Sequence, residues 1–441
     1  MLDTKFILSN LEFVRQTVAD KGAAHARIDL DKFVRLDESR RKAQTENDRF
    51  AAEKNKLSKQ IGPLMGKLKG SDEAARAAAQ KEIDALKAQS AALDDQIQQQ
   101  AFEFAKAETE LDQMRAWIPN VPHESVPPGK SAADNPVVRT WGEPCRFEFK
   151  PKFQYELGED LGILDCTRGA KVAGSGFYFL CGDGARLERA LIAWFLDEHR
   201  KNGYLEVIPP YFVNEKTLFG SGQLPKFLDQ MYYAGEDKLF AIPTAEVPVT
   251  AFYRDEMLGE SDLPKKFCAS SACFRREAGA AGADTRGILR VHQFNKVEML
   301  KYTTPETSYA ELEALTADAE ALIQKLGLHY RVITLCRGDL GFSAAKTYDI
   351  ELWAPGTGKW LEVSSCSNFG DYQARRSNLR YKTAGGGKPQ FVHTLNGSGL
   401  ALPRLQAAIW ETYQQKDGSV IVPEVLRAYL GGQERIEARK A

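Results

Sequence analysis

The decisive stretch of this chain runs Phe274-Arg275-Arg276-Glu277-Ala278-Gly279, continues through a loop rich in Gly and Ala, and closes with His292-Gln293-Phe294-Asn295-Lys296-Val297-Glu298. Side chains two residues apart on a strand share a face, so Arg275 and Glu277 are expected to point the same way. The small-residue loop lets the chain return beside them with an aromatic ring and a second carboxylate. These groups suit a bound nucleoside triphosphate. Because the chain contains no G-x-x-x-x-G-K-[ST] motif, the predicted site is not a P-loop.

Length and composition limit the class of protein. The chain has 441 residues, enough for two or more domains that each bury a core. With 59 basic and 60 acidic residues, its overall charge does not indicate nucleic-acid binding, although a local basic cluster can still attract a polyanion. The seven cysteines include no C-x-x-C pair, which predicts reduced thiols in a cytoplasmic protein and no zinc site. The charged start and the lack of a long apolar run predict neither a signal peptide nor a membrane span.

Residues 30–117 have the composition of a long helical hairpin. They are rich in Ala, Glu, Lys, Gln and Leu, and apolar residues recur at heptad spacing on both sides of a central break. Gly62-Pro63, Gly66 and Gly70 lie in that break, and we expect no helix to continue through them. Two antiparallel limbs of roughly 30–40 residues would each be about 45–60 Å long. The heptad positions are Leu36, Ala43, Phe50, Leu57 and Leu64 on the first limb, and Ile83, Leu86, Leu93, Ile97, Phe104, Leu111 and Met114 on the second.

Five lysines gather toward the predicted tip of this hairpin, namely Lys54, Lys56, Lys59, Lys67 and Lys69. On composition alone, a solvated coiled-coil face is the favoured interpretation. A projecting arm with a basic end is also a shape that can lie along nucleic acid through phosphate contacts, without reading bases. The lysine pattern leaves both interpretations open.

The rest of the chain predicts an α+β domain. Residues 118–135 form a Pro-rich connector that proline keeps extended. Between residues 136 and 441, β-type runs joined by short loops are interspersed with a few helical patterns, so the sheet is expected to be antiparallel. The expected strands are 176–180, 240–242, 267–274, 291–300, 330–335, 348–352 and 360–364, and the expected helices are 186–203, 307–326 and 402–415.

Two segments near expected strands carry carboxylates and hydroxyls. Thr244-Ala245-Glu246 follows a short apolar strand and suits a small, positively charged ligand, although an ordinary strand-end turn explains it equally well. In the later segment we expect Glu362 and Ser364 to share a strand face, with Ser365 at the strand end. A carboxylate and a hydroxyl near phosphates suit Mg²⁺, which takes few protein ligands.

A third segment combines a glycine-rich stretch with an arginine. Asn396-Gly397-Ser398-Gly399 is expected to form a tight turn that leads into a helix. Pro403 fits the first turn of that helix, and Arg404 would then lie at the helix start. A helix N-terminus with a guanidinium beside it predicts a phosphate site.

Together and in this order, the segments resemble the class II aminoacyl-tRNA synthetases. The Arg275-x-Glu277 pair is similar to motif 2 of that family, Arg404 to motif 3, and the helix-to-proline segment 203–210 to motif 1. The resemblance narrows to the seryl-tRNA synthetases, whose members also carry an N-terminal helical arm, and it covers essentially the whole chain. The stretches that carry it are 244–246, 274–298, 362–368, 373–376, 396–399 and 423–426.

The resemblance implies a role for each matching residue. Arg275 would hold the α-phosphate of ATP, Glu277 would bind the adenine amino group, and Phe294 would stack on adenine. Glu362 and Ser365 would bind Mg²⁺. The implied ATP-binding set is Arg275, Arg276, Glu277, Arg290, Val291, Phe294, Glu362, Val363, Ser364, Ser365 and Arg404, with Arg275 and Arg404 catalytic; the implied serine-binding set is Thr244, Ala245, Glu246, Arg275, Glu298, Asn396 and Ser398.

As a whole, the resemblance implies a serine–tRNA ligase. Such an enzyme activates L-serine with ATP and transfers it to the 3′ end of tRNA(Ser), with tRNA(Sec) left open as a second acceptor. Residues 1–117 would form a tRNA-binding domain that uses the arm lysines, and residues 136–441 the class II catalytic domain. The motif 1 resemblance implies a homodimer.

Three other interpretations fit parts of the sequence. A relative that passes its amino acid to a carrier protein would lack the long arm. A non-catalytic tRNA-binding paralogue would be expected to have lost Arg275, Glu277, Glu362 or Arg404, and all four are present. A coiled-coil interaction protein explains the heptads and leaves the second half unexplained.

Overall fold

A computed structural model describes residues 1–23, 27–277 and 286–438, so Ala278 and Gly279 of the opening stretch lie outside the described residues. The chain divides into two compact units, one of Met1–Leu2, Gln16–Ala23 and Pro119–Ala441, the other of Asp3–Arg15 and Ala24–Ile118. In the described ranges the helices are α1 Thr4–Ser9, α2 Leu11–Asp20, α3 Leu30–Lys67, α4 Glu73–Arg115, α5 Gln154–Asp160, α6 Cys166–Ala173, α7 Asp183–Lys201, α8 Glu215–Gly220, α9 Glu246–Thr250, α10 Ser308–Lys325, α11 Tyr372–Ser377, α12 Leu402–Tyr413 and α13 Glu424–Arg427. The strands are β1 Val137–Trp141, β2 Leu164–Asp165, β3 Phe179–Leu180, β4 Leu205–Glu206, β5 Phe212–Val213, β6 Tyr233–Ala234, β7 Leu239–Ala241, β8 Met257–Gly259, β9 Lys265–Phe274, β10 Gln293–Thr303, β11 Tyr330–Thr334, β12 Lys346–Ala354, β13 Lys359–Asn368, β14 Arg380–Lys382, β15 Gln390–Phe391, β16 His393–Ala401, β17 Val420–Ile421 and β18 Arg435–Ile436.

The smaller unit contains the predicted helical hairpin, formed by α3 and α4. Lys32 near the start of α3 forms an ion pair with Glu110 near the end of α4, at 3.1 Å. Leu64 near the end of α3 packs with Ile83 near the start of α4. This pairing makes the two helices antiparallel, as the heptad pattern predicted.

The predicted end of the first hairpin helix was wrong. α3 does not end at Gly62-Pro63 but continues through the proline to Lys67. A proline inside a helix removes one backbone hydrogen bond. Leu64, only 8 % exposed, packs against α4 and stabilises the last turn of α3 in spite of that loss. The chain reverses just beyond, and the Asp72 side chain starts α4 by accepting hydrogen bonds from two amides of its first turn.

The larger unit is built on an eight-stranded sheet with the order β1-β11-β12-β13-β16-β10-β9-β4. Its pairings are antiparallel, apart from the parallel pair of β4 and β9. Helices α7, α10 and α12 pack on the sheet and bury a core that includes Leu191, Leu315 and Trp410. This arrangement confirms the predicted α+β class. Among the residues that the structure describes, no helix is long and apolar enough to cross a membrane.

Residues 396–399 do not form the expected turn, because they belong to β16 in the middle of this sheet. A Cβ atom at Gly397 would lie 2.3 Å from Cδ2 of Leu315 on α10. A Cβ atom at Gly399 would lie 2.5 Å from Nε2 of His199 on α7. The glycines therefore serve close packing of helices on a buried strand rather than chain reversal.

Candidate active site

Residues predicted to bind ATP line a single cleft. The Arg275 guanidinium carbon lies 5.2 Å from the centre of the Phe294 ring. Strand β9 ends at Phe274, so Arg275 and Glu277 lie in the segment beyond the strand, yet both line the cleft. The predicted residues that the cleft brings together are Arg275, Glu277, Arg290, Val291, Phe294, Glu362, Val363, Ser398 and Arg404.

Two arginines of this cleft form ion pairs with carboxylates that also line it. Arg290 Nη1 lies 3.3 Å from the Glu277 carboxylate. Arg404 Nη1 donates to the backbone oxygen of Glu362 at 2.9 Å and lies 3.8 Å from its carboxylate. The cavity that remains is about 70 Å³. A triphosphate would have to replace these carboxylates as the partner of both arginines.

Three residues of the implied ATP set, Arg276, Ser364 and Ser365, do not line the cleft in the part of the chain that the structure describes. Ser365 lines a neighbouring cavity instead. Arg276 turns aside and donates from Nη1 to the backbone oxygen of Asp229 at 3.2 Å. Ser364 is buried and donates from Oγ to the backbone oxygen of Ser398 at 2.6 Å. Their side chains contribute to the framework around the cleft.

A bulge in β13 determines which of its side chains face the site. The pairing of β13 with β12 shifts by one residue, leaving Val363 as the extra residue. As a result Glu362 and Ser365 line the same cavity. Ser364 instead contacts the buried Cys366 thiol and the Ser398 backbone oxygen. The expectation that Glu362 and Ser364 share a face was therefore wrong. Ser365 also lies inside the strand rather than at its end, because β13 continues to Asn368.

The chemistry of this face fits a magnesium ion. Asp349 on β12 pairs directly with Ser365, lines the same cavity as Glu362, and is 8 % exposed. Among the described residues, its Oδ1 atom has no hydrogen-bond partner. Burial, and next the charge of Glu362, raise the pKa of Asp349 well above its ordinary value. Within the described ranges no group of three His, Cys, Asp or Glu side chains could hold a metal. Mg²⁺ matches a site with few protein ligands, because it completes its shell with water and phosphate oxygens.

Next to the cleft, two buried carboxylates share one amide. Asn396 Nδ2 donates to Glu246 Oε2 and to Glu298 Oε1, each at 2.9 Å. Thr244 Oγ1 donates to the other oxygen of Glu298 at 3.1 Å. Glu298 on β10 lies directly opposite Ser398 on β16. The predicted serine-binding residues, including the buried Ala245, thus converge from two strands and the start of α9.

Two residues that the sequence reasoning missed complete this pocket. Lys296 is 5 % exposed and forms an ion pair with Glu298. It precedes Glu298 by two residues on β10, so strand alternation was a signal that could have found it. Gln373 Nε2 donates to Glu246 Oε1 at 2.7 Å. Gln373 reaches the pocket from α11, and no spacing rule connects that helix to Glu246.

The two carboxylates differ in their electrostatics. Glu298 has the Lys296 ammonium as a counter-ion, whereas Glu246 receives only amide hydrogen bonds among the described residues. Burial, and next the charge of Glu298, raise the pKa of Glu246 to about 7. A buried carboxylate without a cation is a site for a positively charged ligand.

Comparisons with known proteins identify the family. Residues 1–122 match the sequence model of the seryl-tRNA synthetase N-terminal domain, and residues 231–413 match that of the class II tRNA synthetase core domain (G, H, P, S and T). The serine–tRNA ligase of Carboxydothermus hydrogenoformans is 52% identical over 98% of both chains. The chain belongs to the seryl-tRNA synthetase family. The serine–tRNA ligase of Geobacillus kaustophilus is 51% identical over 99% of this chain and 100% of its own length.

Solved structures of seryl-tRNA synthetases have the same fold. The enzyme from Pyrococcus horikoshii complexed with ATP is 38% identical and superposes over 100% of both chains with a TM-score of 0.92. The cytoplasmic enzyme from Naegleria fowleri in complex with AMP is 31% identical, with a TM-score of 0.86 over 100% of this chain and 99% of its own. Membership of the seryl-tRNA synthetase family confirms the predicted family and ligase class, and it favours a serine–tRNA ligase over the alternative interpretations.

Proposed function

We propose that this chain activates L-serine with ATP to seryl-adenylate and pyrophosphate, and then transfers serine to the 3′ end of tRNA(Ser). The observation that carries the proposal is the junction of two sites. A cleft rich in arginine, with a stacking ring, adjoins a buried pocket in which Asn396 bridges two carboxylates. The relatives named serine–tRNA ligase, and a neighbour of known structure that holds ATP, support it.

In the activation step the arginines bind phosphate. Arg275 contacts the α-phosphate from its position over Phe294, and adenine stacks on that ring. Arg290 and Arg404 exchange their carboxylate partners for the outer phosphates, which carry more charge. Opening both ion pairs enlarges the cleft for the nucleotide.

In the serine pocket the ammonium group pairs with Glu246. Lys296 already neutralises Glu298, so Glu246 is the carboxylate with unbalanced charge. Glu298, held by Thr244 and Asn396, accepts a hydrogen bond from the serine hydroxyl. Alanine lacks that hydroxyl and would leave buried polar groups unpaired, so it is rejected.

Glu362 and Ser365 would hold Mg²⁺, which supplies charge neutralisation to the triphosphate when bound. The serine carboxylate forms a bond to the α-phosphorus, and pyrophosphate leaves. A ribose hydroxyl of the tRNA terminus then forms the ester, and AMP leaves. No described side chain is placed as a covalent nucleophile, so catalysis depends on positioning and charge neutralisation by residues such as Arg275.

The experiment that tests the substrate is pyrophosphate exchange with each of the common amino acids in turn. We expect serine to support the fastest exchange, because it alone supplies both an ammonium group for Glu246 and a small hydroxyl for Glu298. Threonine carries an extra methyl group and alanine lacks the hydroxyl. Exchange driven best by either of these, or none with serine, would refute the proposal.

The raised pKa of Glu246 predicts a pH dependence of serine binding. The ammonium group binds ionised Glu246, whose pKa is about 7. The KM for serine should therefore rise by about tenfold per pH unit below that pKa and level off above it. Exchange kinetics between about pH 6 and pH 8.5 measure this slope.

The matched variant is Glu246→Gln, which keeps the hydrogen-bonded shape. It should have a high serine KM that no longer varies with pH. Because the folded pKa of Glu246 lies above its ordinary value of 4.5, ionisation costs stability as pH rises through 7. The variant should therefore melt no lower than the wild type at pH 8. A variant that keeps the wild-type pH slope would contradict the assignment.

The chain is also proposed to act as a cytoplasmic homodimer that binds tRNA with the arm lysines. Three large apolar residues in or just after the segment 203–210, which resembles motif 1, are exposed: Leu205 at 58%, Ile208 at 83% and Phe212 at 51%. Such a patch is typical of a protein interface. All seven cysteines are free thiols, consistent with a reducing compartment. Sedimentation of the wild type as a monomer at micromolar concentration would contradict the dimer.

A further inference from the structure

The ammonium group of Lys296 is a buried cation at the junction of the two proposed sites. Lys296 is 5% exposed and forms an ion pair with Glu298 in the serine pocket. The same residue lines the cleft that is proposed to bind ATP, together with Arg275 and Ser398. Lys296 therefore borders both the pocket that is proposed to hold serine and the cleft in which serine would react.

The ion pair uses only part of the hydrogen-bonding capacity of this ammonium. A lysine ammonium carries three N–H donors. In the described part of the chain, Glu298 is the only group paired with the ammonium of Lys296. Glu298 also accepts hydrogen bonds from Thr244 and Asn396, so it does not depend on Lys296 alone. Donors of Lys296 remain for a second anion.

The sheet leaves space beside the Lys296 side chain. Its direct neighbours across the sheet are small, Ser271 on β9 and Ala401 on β16. The pairing of β10 with β16 shifts between Lys296 and Glu298, because β16 has one extra residue there. Leu400 of this bulge is buried and has a φ of +78°, which is strained for a residue other than glycine. The bulge places the short Ala401 side chain, which also lines the cleft, opposite Lys296.

Serine brings a negative charge into this pocket together with its ammonium group. Burial is the main cause of the raised pKa of Glu246, and the charges of Lys296 and Arg275 oppose that rise. Both cations therefore lie within electrostatic range of the carboxylate that is proposed to bind the serine ammonium. A single carbon atom joins that ammonium to the serine carboxylate. A buried carboxylate without a cation is costly, so the serine carboxylate needs a partner here.

The activation step brings two anions together, the serine carboxylate and the α-phosphate of ATP. Arg275 is proposed to bind the α-phosphate. Among the described residues that line the cleft, the other arginines are Arg290 and Arg404, which are proposed to bind the outer phosphates. Lys296 is the cation of the cleft wall that these assignments leave for the serine carboxylate.

We propose that the ammonium of Lys296 binds the carboxylate of serine while it stays paired with Glu298. The inference rests on the proposed function, because it assigns one more binding residue to serine. A carboxylate oxygen held in this way forms the bond to the α-phosphorus, and the bond to pyrophosphate breaks with its electron pair on the leaving group. Lys296 transfers no proton. The contact makes the pocket selective for an amino acid over an amine that lacks the carboxylate.

The test compares serine with serinol, in which a second hydroxymethyl group replaces the carboxylate. Lys296→Gln in the full chain keeps a hydrogen-bond donor for Glu298 and removes the charge. The KM for serine in pyrophosphate exchange should rise by about 10- to 100-fold, the scale of a hydrogen bond to a charged group. The inhibition constant of serinol in the same assay should be unchanged or lower, because serinol has no carboxylate for Lys296 to bind.

Lys301→Gln is the matched control. Lys301 lies on the same strand, is fully buried and pairs with Glu311 at 2.8 Å, but it does not line the cleft. Its substitution should lower the melting temperature and leave both constants unchanged. A larger KM for serine in this variant as well would assign the effect to the loss of any buried lysine of β10, and the inference would fail.

An equal rise of the serine and serinol constants in Lys296→Gln would overturn the inference, because Lys296 would then act only through Glu298. An unchanged KM for serine would overturn it as well. Should Lys296→Gln fail to fold, the double variant Lys296→Met with Glu298→Gln is compared with Glu298→Gln alone. The double variant should have the higher serine KM and an equal serinol constant, and equal serine KM values would refute the contact. Failure of the proposed function would appear separately, as wild-type enzyme without serine-dependent exchange.

Discussion

Replacing Arg275 with alanine is expected to slow serine-dependent pyrophosphate exchange by about 10³-fold. Arg275 lines the cleft beside Phe294, next to the pocket that holds Glu246 and Glu298. It is thus the cation placed to contact the α-phosphate, where negative charge builds up as pyrophosphate leaves. A cation that stabilises only the transition state changes kcat, so most of the loss should appear in kcat rather than in the KM for serine.

The neighbouring Arg276→Ala is the matched control for this substitution. Its guanidinium bonds the Asp229 backbone oxygen and does not line the cleft, so its loss should have a far smaller effect on exchange. Arg275→Lys keeps the charge without the planar fork and should recover only part of the rate. Thermal unfolding of all three variants checks the fold. Equal losses in Arg275→Ala and Arg276→Ala would contradict the assignment.

Much of the fold could be predicted from local patterns. Each of the seven expected strands and three expected helices overlaps an observed element, because apolar alternation and helical spacing are properties of short windows. The edge strand β1 was missed, since Val137 and Val138 are about half exposed and give no alternation to detect. The central strand β16 was read as a turn because its glycines are explained only by helices far away in the sequence.

The candidate active site, like the fold, could be predicted from the sequence only in part. Thr244, Glu298 and Asn396 could be proposed from the sequence because their chemistry and the family resemblance indicate a polar pocket. The hydrogen bonds of these residues could not be predicted from the sequence, because they depend on how distant segments of the chain meet. The role of Gln373 could not be predicted for the same reason. The bulge at Val363 reverses which side chains of β13 face the site, and a one-residue shift of strand pairing leaves no mark in a single sequence.

Removing the hairpin is expected to separate the two steps of the reaction. Residues 35–112 can be replaced by a short glycine linker, because the ion pair of Lys32 with Glu110 shows that the two helices lie side by side at the base of the hairpin in the intact chain. We expect serine-dependent exchange to remain close to that of the full chain, because the residues of both site cavities lie in the larger unit. Charging of tRNA should be abolished, since the lysines proposed to hold the tRNA backbone are gone.

A full-length variant separates loss of charge from loss of the arm. Lys56, Lys59, Lys67 and Lys69 are exposed and can be changed to glutamine together, whereas Lys54 stays because it pairs with Asp94 across the hairpin. For every phosphate that the arm no longer neutralises, the plot of log affinity against log salt should become flatter by about 0.7–0.9. Glutamine at the exposed Lys382 and Lys388 of the larger unit is the control and should leave the salt slope unchanged. Charging of tRNA at the wild-type rate by the shortened chain would refute the role of the arm. An unchanged salt slope in the lysine variant would show that other residues bind the tRNA backbone.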